Sequence, residues 1–177
     1  IGTHLEDLIA IDSNNNMDTI QCPVEVVPGT NCPVNLTPNF FPPQAAIFDV
    51  GDTKDFVIQV DNTLTGTTQG IIQVFIPYQV GFTFEFIDSA TTASTLFGPW
   101  PIENTSWDKT LIPAGILLTA KSGVTIGGLG SLTFAIQITA DNGGSSGSIT
   151  ANISPTAGGQ TDNTDDTKSR NIEIGFP

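Results

Sequence analysis

A sandwich of antiparallel β-sheets is the fold this sequence predicts, and three observations predict it. Beyond about residue 45 the apolar residues recur every second position, not every 3.6. Clusters rich in Gly, Asn and Pro break the chain at roughly 8 to 15 residue intervals, the spacing of short strands in all-β domains. No stretch combines helical periodicity with caps; Thr3 to Ile11 is the one candidate, and it reads equally well as a strand.

The strands follow in order. From Asp55 to Asp61, Phe56, Ile58 and Val60 alternate with Val57, Gln59 and Asp61. From Gly70 to Pro77, Ile72, Val74 and Ile76 alternate with Ile71, Gln73 and Phe75. Phe82, Phe84 and Phe86 share one face, opposite Thr83 and Glu85. Trp107 leads into a strand over Asp108 to Ile112 and is expected in the core. Leu132, Phe134, Ile136 and Ile138 oppose Thr133, Ala135, Gln137 and Thr139. Ile149, Ala151 and Ile153 oppose Thr150 and Asn152, and Ile172, Ile174 and Phe176 oppose Asn171 and Glu173. β-Branched and aromatic residues dominate these runs because they pack well on a half-buried pleated surface. Between the runs, Gly51, Gly66, Gly81, Gly115, Gly127–Gly130, Asn142–Gly147 and Ala157–Asp166 supply the reversals.

Residues 1–38 read differently and form an N-terminal extended segment, with the sandwich assigned to 39–177. Pro33, Pro38, Pro42 and Pro43 resist both helix and central strand. The segment fits a linker, the tail of a preceding module, or a strand donated to a neighbour's open sheet edge through Leu5, Leu8, Ile9 and Ile11. Cys22 and Cys32 stand ten positions apart around Pro23, Pro28 and Gly29, which suits a disulfide closing a short hairpin in an oxidising compartment. The alternative is a pair of buried reduced thiols.

The 177 residues carry Lys+Arg 5 against Asp+Glu 18, a net charge of -13. Binding nucleic acid takes clustered basic residues, and Arg170 is the only arginine, so nucleic acid is excluded as a partner. No apolar run approaches the roughly 18 residues of a spanning helix. Ile1 to Glu6 shows no basic start before an apolar core, so no signal peptide is expected in this stretch.

From Leu36 onward the order of features is familiar: Leu36-Thr37-Pro38, Phe40 to Pro43, Val50 to Asn62, Gly70 to Pro77, Gly81 to Phe86, Trp107, Ile112 to Gly115, Leu132 to Thr139, Gly147 to Ile153 and Gly158 to Asn163. This pattern, over residues 36 to 176, resembles the immunoglobulin-like repeat domains of large bacterial surface proteins, the adhesin-type and gliding-associated proteins of Bacteroidetes-like bacteria. The resemblance implies an immunoglobulin-like sandwich, secretion, display at the cell surface, tandem arrangement and adhesive or mechanical work, with no active site to transfer.

The residues themselves offer little catalysis. His4 is the only imidazole, near a terminus, which leaves Ser, Thr and Cys without a base. Carboxylate pairs for glycoside hydrolysis cannot be selected by spacing among thirteen Asp and five Glu. Calcium is the better chemical candidate, because hard cations take Asp and Asn oxygens. Asp12, Asn14, Asn16 and Asp18 place oxygens at alternate positions, but Met17 and Pro23 stand where an EF-hand needs Gly and Glu. Asp162, Asp165 and Asp166 form a second acidic tract. For both tracts the plainer reading is a solvated turn. Trp100, between Pro99 and Pro101, is a candidate platform for a sugar ring. Asn35, Asn104 and Asn152 fit the glycosylation pattern, which chance supplies freely in so Asn- and Thr-rich a chain. The expected function is a non-catalytic structural or adhesive module, extracellular, joined to neighbouring copies or tandem domains; the alternative is a carbohydrate-binding module that contacts surface glycans through Trp100 and acidic loops. No cofactor is required.

Overall fold

The computed structural model describes residues 2–11, 17–26, 32–42, 46–141 and 146–175, the first two ranges by backbone alone. The chain divides into two compact units, Ile1–Asn31 and Cys32–Pro177. In the first, β1 (Gly2–Ile11) and β2 (Met17–Val26) pair antiparallel from Gly2 opposite Val26 to Ile11 opposite Met17. Thr3 to Ile11 is therefore strand.

The second unit is a β-sandwich. Its strands are β3 (Leu36–Phe40), β4 (Ile47–Phe48), β5 (Thr53–Asn62), β6 (Gln73–Pro77), β7 (Phe82–Glu85), β8 (Thr92–Thr95), β9 (Gly98–Pro101), β10 (Trp107–Ile112), β11 (Gly115–Ala120), β12 (Ser131–Ala140), β13 (Ser146–Ile153) and β14 (Thr167–Ile174). One sheet has the order β10-β11-β6-β13-β14-β4, the other β3-β5-β12-β7, and β8 with β9 forms a separate hairpin. All pairs are antiparallel except β14 with β4. The alternating apolar residues meet between the sheets: Phe56, Ile58, Val60, Phe134, Ile136 and Ile138 from one layer pack in one cluster with Val74, Ile76, Ile116, Leu118, Ile149 and Ile172 from the other. Trp107 is buried in that cluster, edge-on to Phe134 at 5.1 Å. Such interdigitation of two inner faces is what makes the all-β chain stable.

Several strands lack a clean alternation. β3 contains Pro38 and lies inside the sandwich, so the two units part between Asn31 and Cys32 and not near Pro38. Proline is tolerated there because β3 is an edge strand, paired only with β5. In β11 the run Ile116-Leu117-Leu118 is apolar on both faces, which hides the period. The β8–β9 hairpin is a flap made largely of small and polar residues; Ala93 and Trp100 pack on Val57 and Ala135, the outward-facing residues at the centre of β5 and β12, and Ile102 joins them.

Buried amides finish the ladders. β7 pairs with β12 only over Gln137–Ala140. Beyond it, Asn104 stands in for a strand: its Oδ1 accepts the Ala135 N–H at 2.8 Å and its Nδ2 donates to the Ala135 carbonyl at 3.1 Å. Glu103 continues the substitution, its N–H donating to the Thr133 carbonyl and its Oε2 accepting from the Thr133 N–H, both at 2.9 Å. Two of the three glycosylation-pattern asparagines, Asn35 and Asn104, are thus buried structural residues.

Candidate functional site

The open face of the six-stranded sheet combines an apolar centre with few charges. Register across β10, β11, β6, β13 and β14 sets Thr110, Leu117, Phe75, Asn152 and Thr167 in one row. Phe75 and Leu117 are half-buried cross-strand neighbours, and Ile112 at the edge is 36% exposed. Around them lie Gln73, whose Nε2 donates to Thr119 Oγ1 at 3.2 Å, Thr150 sharing a 2.9 Å hydrogen bond with Ser169, and Thr167 donating to Asn152 Oδ1 at 2.9 Å. Among the outward positions of these five strands only Asp108 and Glu173 carry charge, in a chain of net charge -13. An apolar centre ringed by neutral hydrogen-bonding groups, with charge pushed to the margin, is the composition of a protein-binding patch. Alternation puts Phe75 on the polar side of its strand, and an aromatic at an outward position is a signal the sequence carries; Leu117 opposite it carries none, because the apolar run Ile116-Leu117-Leu118 hides the period of β11.

A polar network occupies one end of the sandwich. Gln160 accepts the Leu36 N–H at 2.8 Å and donates to Asp166 Oδ1 at 2.8 Å. Asp165 Oδ2 accepts from Asn35 Nδ2 at 3.1 Å and from the Thr37 hydroxyl at 2.5 Å. Asn62 accepts the Leu64 N–H and donates to the Gly66 and Gly127 carbonyls. The network ties the start of β3 to the end of β5 and to the β13–β14 connection. Burial holds the Asp166 carboxyl above the ordinary carboxylate range, reinforced by the charges of Asp165 and Asp162 and offset in part by Gln160. Asp162 is pulled the other way, because its carboxylate accepts the Thr164 backbone N–H and then the Thr164 hydroxyl.

The remaining expected residues are scattered. Cys32 is an exposed free thiol, so the expected bridge to Cys22 is not made in the structure. Cys22 lies within β2, opposite Glu6 of β1, so it belongs to the hairpin of the first unit while Cys32 begins the second. Asp12, Asn14 and Asn16 lie outside the described residues, and Asp18 is the second residue of β2, opposite Ala10. Leu5, Leu8, Ile9 and Ile11 are on β1, opposite Pro23, Ile20, Thr19 and Met17. Trp100 is half-buried in the flap, where it packs on the Val57–Ala135 cluster and meets Phe41 edge-on at 5.4 Å. A groove of about 330 Å³ between flap and sheet is lined by Asp55, Ser94 and Gln137, but Asp55 already accepts from the Ser94 N–H and the Gln137 amide. Among the described residues no three His, Cys, Asp or Glu side chains gather to hold a metal, and no helix is long and apolar enough to cross a membrane.

No protein-family model matches the sequence, and no curated protein matches it. Solved structures do resemble the fold. A cohesin module from a Clostridium perfringens family 33 glycoside hydrolase is 15% identical, covers 82% of this chain and 98% of its own, and superposes with a TM-score of 0.46. A chain of the CaDoc0917–CaCohA2 complex is 18% identical over 80% of this chain and 99% of its own, with a TM-score of 0.47. AvmM, which catalyses macrocyclization in alchivemycin A biosynthesis, is 14% identical over 81% of this chain and 90% of its own, with a TM-score of 0.45. All three TM-scores fall below 0.5, so the likeness carries no inference about binding or catalysis.

Proposed function

We propose that the chain is a non-catalytic interaction module, a structural or adhesive piece of an extracellular surface or filament protein. Its binding face is the open face of the six-stranded sheet, and its partners are neighbouring copies or tandem domains of the same protein. The observation that supports this is the Phe75–Leu117 pair, left only partly buried at the centre of an almost uncharged face. Strongly acidic surfaces repel one another, so two such molecules meet most cheaply where the charge is absent. Threonine, serine and asparagine around the pair supply hydrogen bonds at the rim.

The N-terminal unit supports the same reading. A hairpin of two strands is marginal in water, because it cannot bury a face of its own. The edges of β1 and β2 are suited to pairing with another sheet, which gives Leu5, Leu8, Ile9 and Ile11 a part in assembly.

Sedimentation velocity over a concentration series tests the proposal. The wild-type chain is expected to associate, and Phe75→Lys with Leu117→Lys to shift the midpoint at least tenfold upward by bringing unpaired charge into the contact. A wild-type chain that stays monomeric throughout, or an association indifferent to both substitutions, removes this face as the contact between copies.

A further inference from the structure

We infer that Asn35, Asp165 and Asp166 form a calcium site at the polar end of the sandwich, a site independent of the open sheet face. Three buried oxygens there, Asn35 Oδ1, Asp165 Oδ1 and Asp166 Oδ2, receive no hydrogen bond. Asn35 is 9% and Asp166 7% exposed, so water does not readily solvate these groups. The Asn35 amide is held against the Asp165 carboxylate through its nitrogen, at 3.1 Å, and through a 3.0 Å bond to Thr63 Oγ1. Its oxygen is left without a donor.

The second oxygen of each carboxylate is already bonded, to Asn35 and Thr37 or to Gln160, and the three oxygens left over are acceptors of the kind a hard cation takes. Among the described residues, the ion pairs Lys54–Asp52, Lys109–Asp88 and Lys121–Asp108 all lie elsewhere. Calcium is preferred to magnesium because it accepts irregular oxygen geometry and fills its remaining positions with water. Three protein oxygens make a weak site, of the order of 10⁻⁴–10⁻³ M, as in other extracellular modules. A bound ion would join the start of β3 to the β13–β14 connection where Gln160 already links them. Asp162 takes no part, since it is exposed to solvent and its Oδ1 accepts from Thr164.

Thermal unfolding of the full chain in about 10 mM calcium chloride against a chelator, at matched ionic strength, reads the site directly: the expected rise is about 3–10 °C. Asp165→Asn, of unchanged shape, is expected to abolish the rise, and calorimetric titration with calcium well below the melting temperature reports lost binding even where that variant is less stable. An absent shift in the wild type overturns the site. So does an equal shift with magnesium, which marks general screening, or a shift retained in Asp165→Asn, which moves the ion to another part of the chain such as Asp12–Asp18.

Discussion

Each sheet of the sandwich carries one apolar pair on its outward side, and the two pairs meet opposite fates. Val57 and Ala135 stand opposite each other at the centre of the four-stranded sheet, and the β8–β9 flap buries them to 0% and 6% exposure. Phe75 and Leu117 stand opposite each other in the six-stranded sheet, and the described chain leaves them only partly buried. The same local exception to alternation is therefore core in one place and surface in the other. An apolar group that the chain covers contributes to stability; one that it leaves open costs little in the monomer and becomes available to a partner.

Substitution separates the two most sharply. Val57→Asp sets an unpaired charge beneath the flap and is expected to cost about 3–5 kcal/mol, whereas Leu117→Lys on the open face is expected to stay within about 0.5 kcal/mol. Urea unfolding of both variants measures the contrast, and equal losses would mean that the open face is structural. Next in size is Asn104→Ala, which strips the Ala135 N–H and carbonyl of their partner beside the flap and is expected to lower stability by about 2–3 kcal/mol. Hydrogen exchange at Ala135 and Thr133 should accelerate in that variant while exchange in β6 and β11 holds.

The smallest effect concerns the polar end. Because burial raises the folded-state pKa of Asp166, the folded state binds its proton more tightly than the unfolded chain does. The stabilisation from that proton is full below the unfolded pKa and is lost as pH rises through the raised folded value; at neutral pH the bare carboxylate is a cost. With calcium chelated, Asp166→Asn is expected to match or exceed the wild type at pH 7, and the difference should shrink as the pH is lowered through the Asp166 titration. Melting curves across that range check the sign, and a variant that loses stability at neutral pH contradicts it.

Much of the sandwich was legible because period two is a local property. Phe56-Ile58-Val60 or Leu132-Phe134-Ile136-Ile138 announce their inner face without reference to any other segment. Trp107 was expected in the core as the residue leading into the Asp108–Ile112 strand, and it is buried there. β3 was hidden by Pro38, whose tolerance depends on β3 having a neighbour on one side only, and β11 by the apolar Leu117. The Asp162–Asp166 tract was visible as an acidic run, but its division was not: Asp162 turns to Thr164, Asp165 to Asn35 and Thr37, and Asp166 to Gln160. Asn35 lies 130 positions from Asp165, so no spacing rule could join them.

The sequence alone determined an acidic, all-β chain with apolar faces turned inward, since composition and periodicity act over a few neighbouring residues. Tertiary structure decided which outward apolar pair is roofed, which asparagine completes a strand and which oxygens are left without donors. Those outcomes depend on contacts between segments far apart in the chain, and the energy of such a contact belongs to the pair and is written in neither segment.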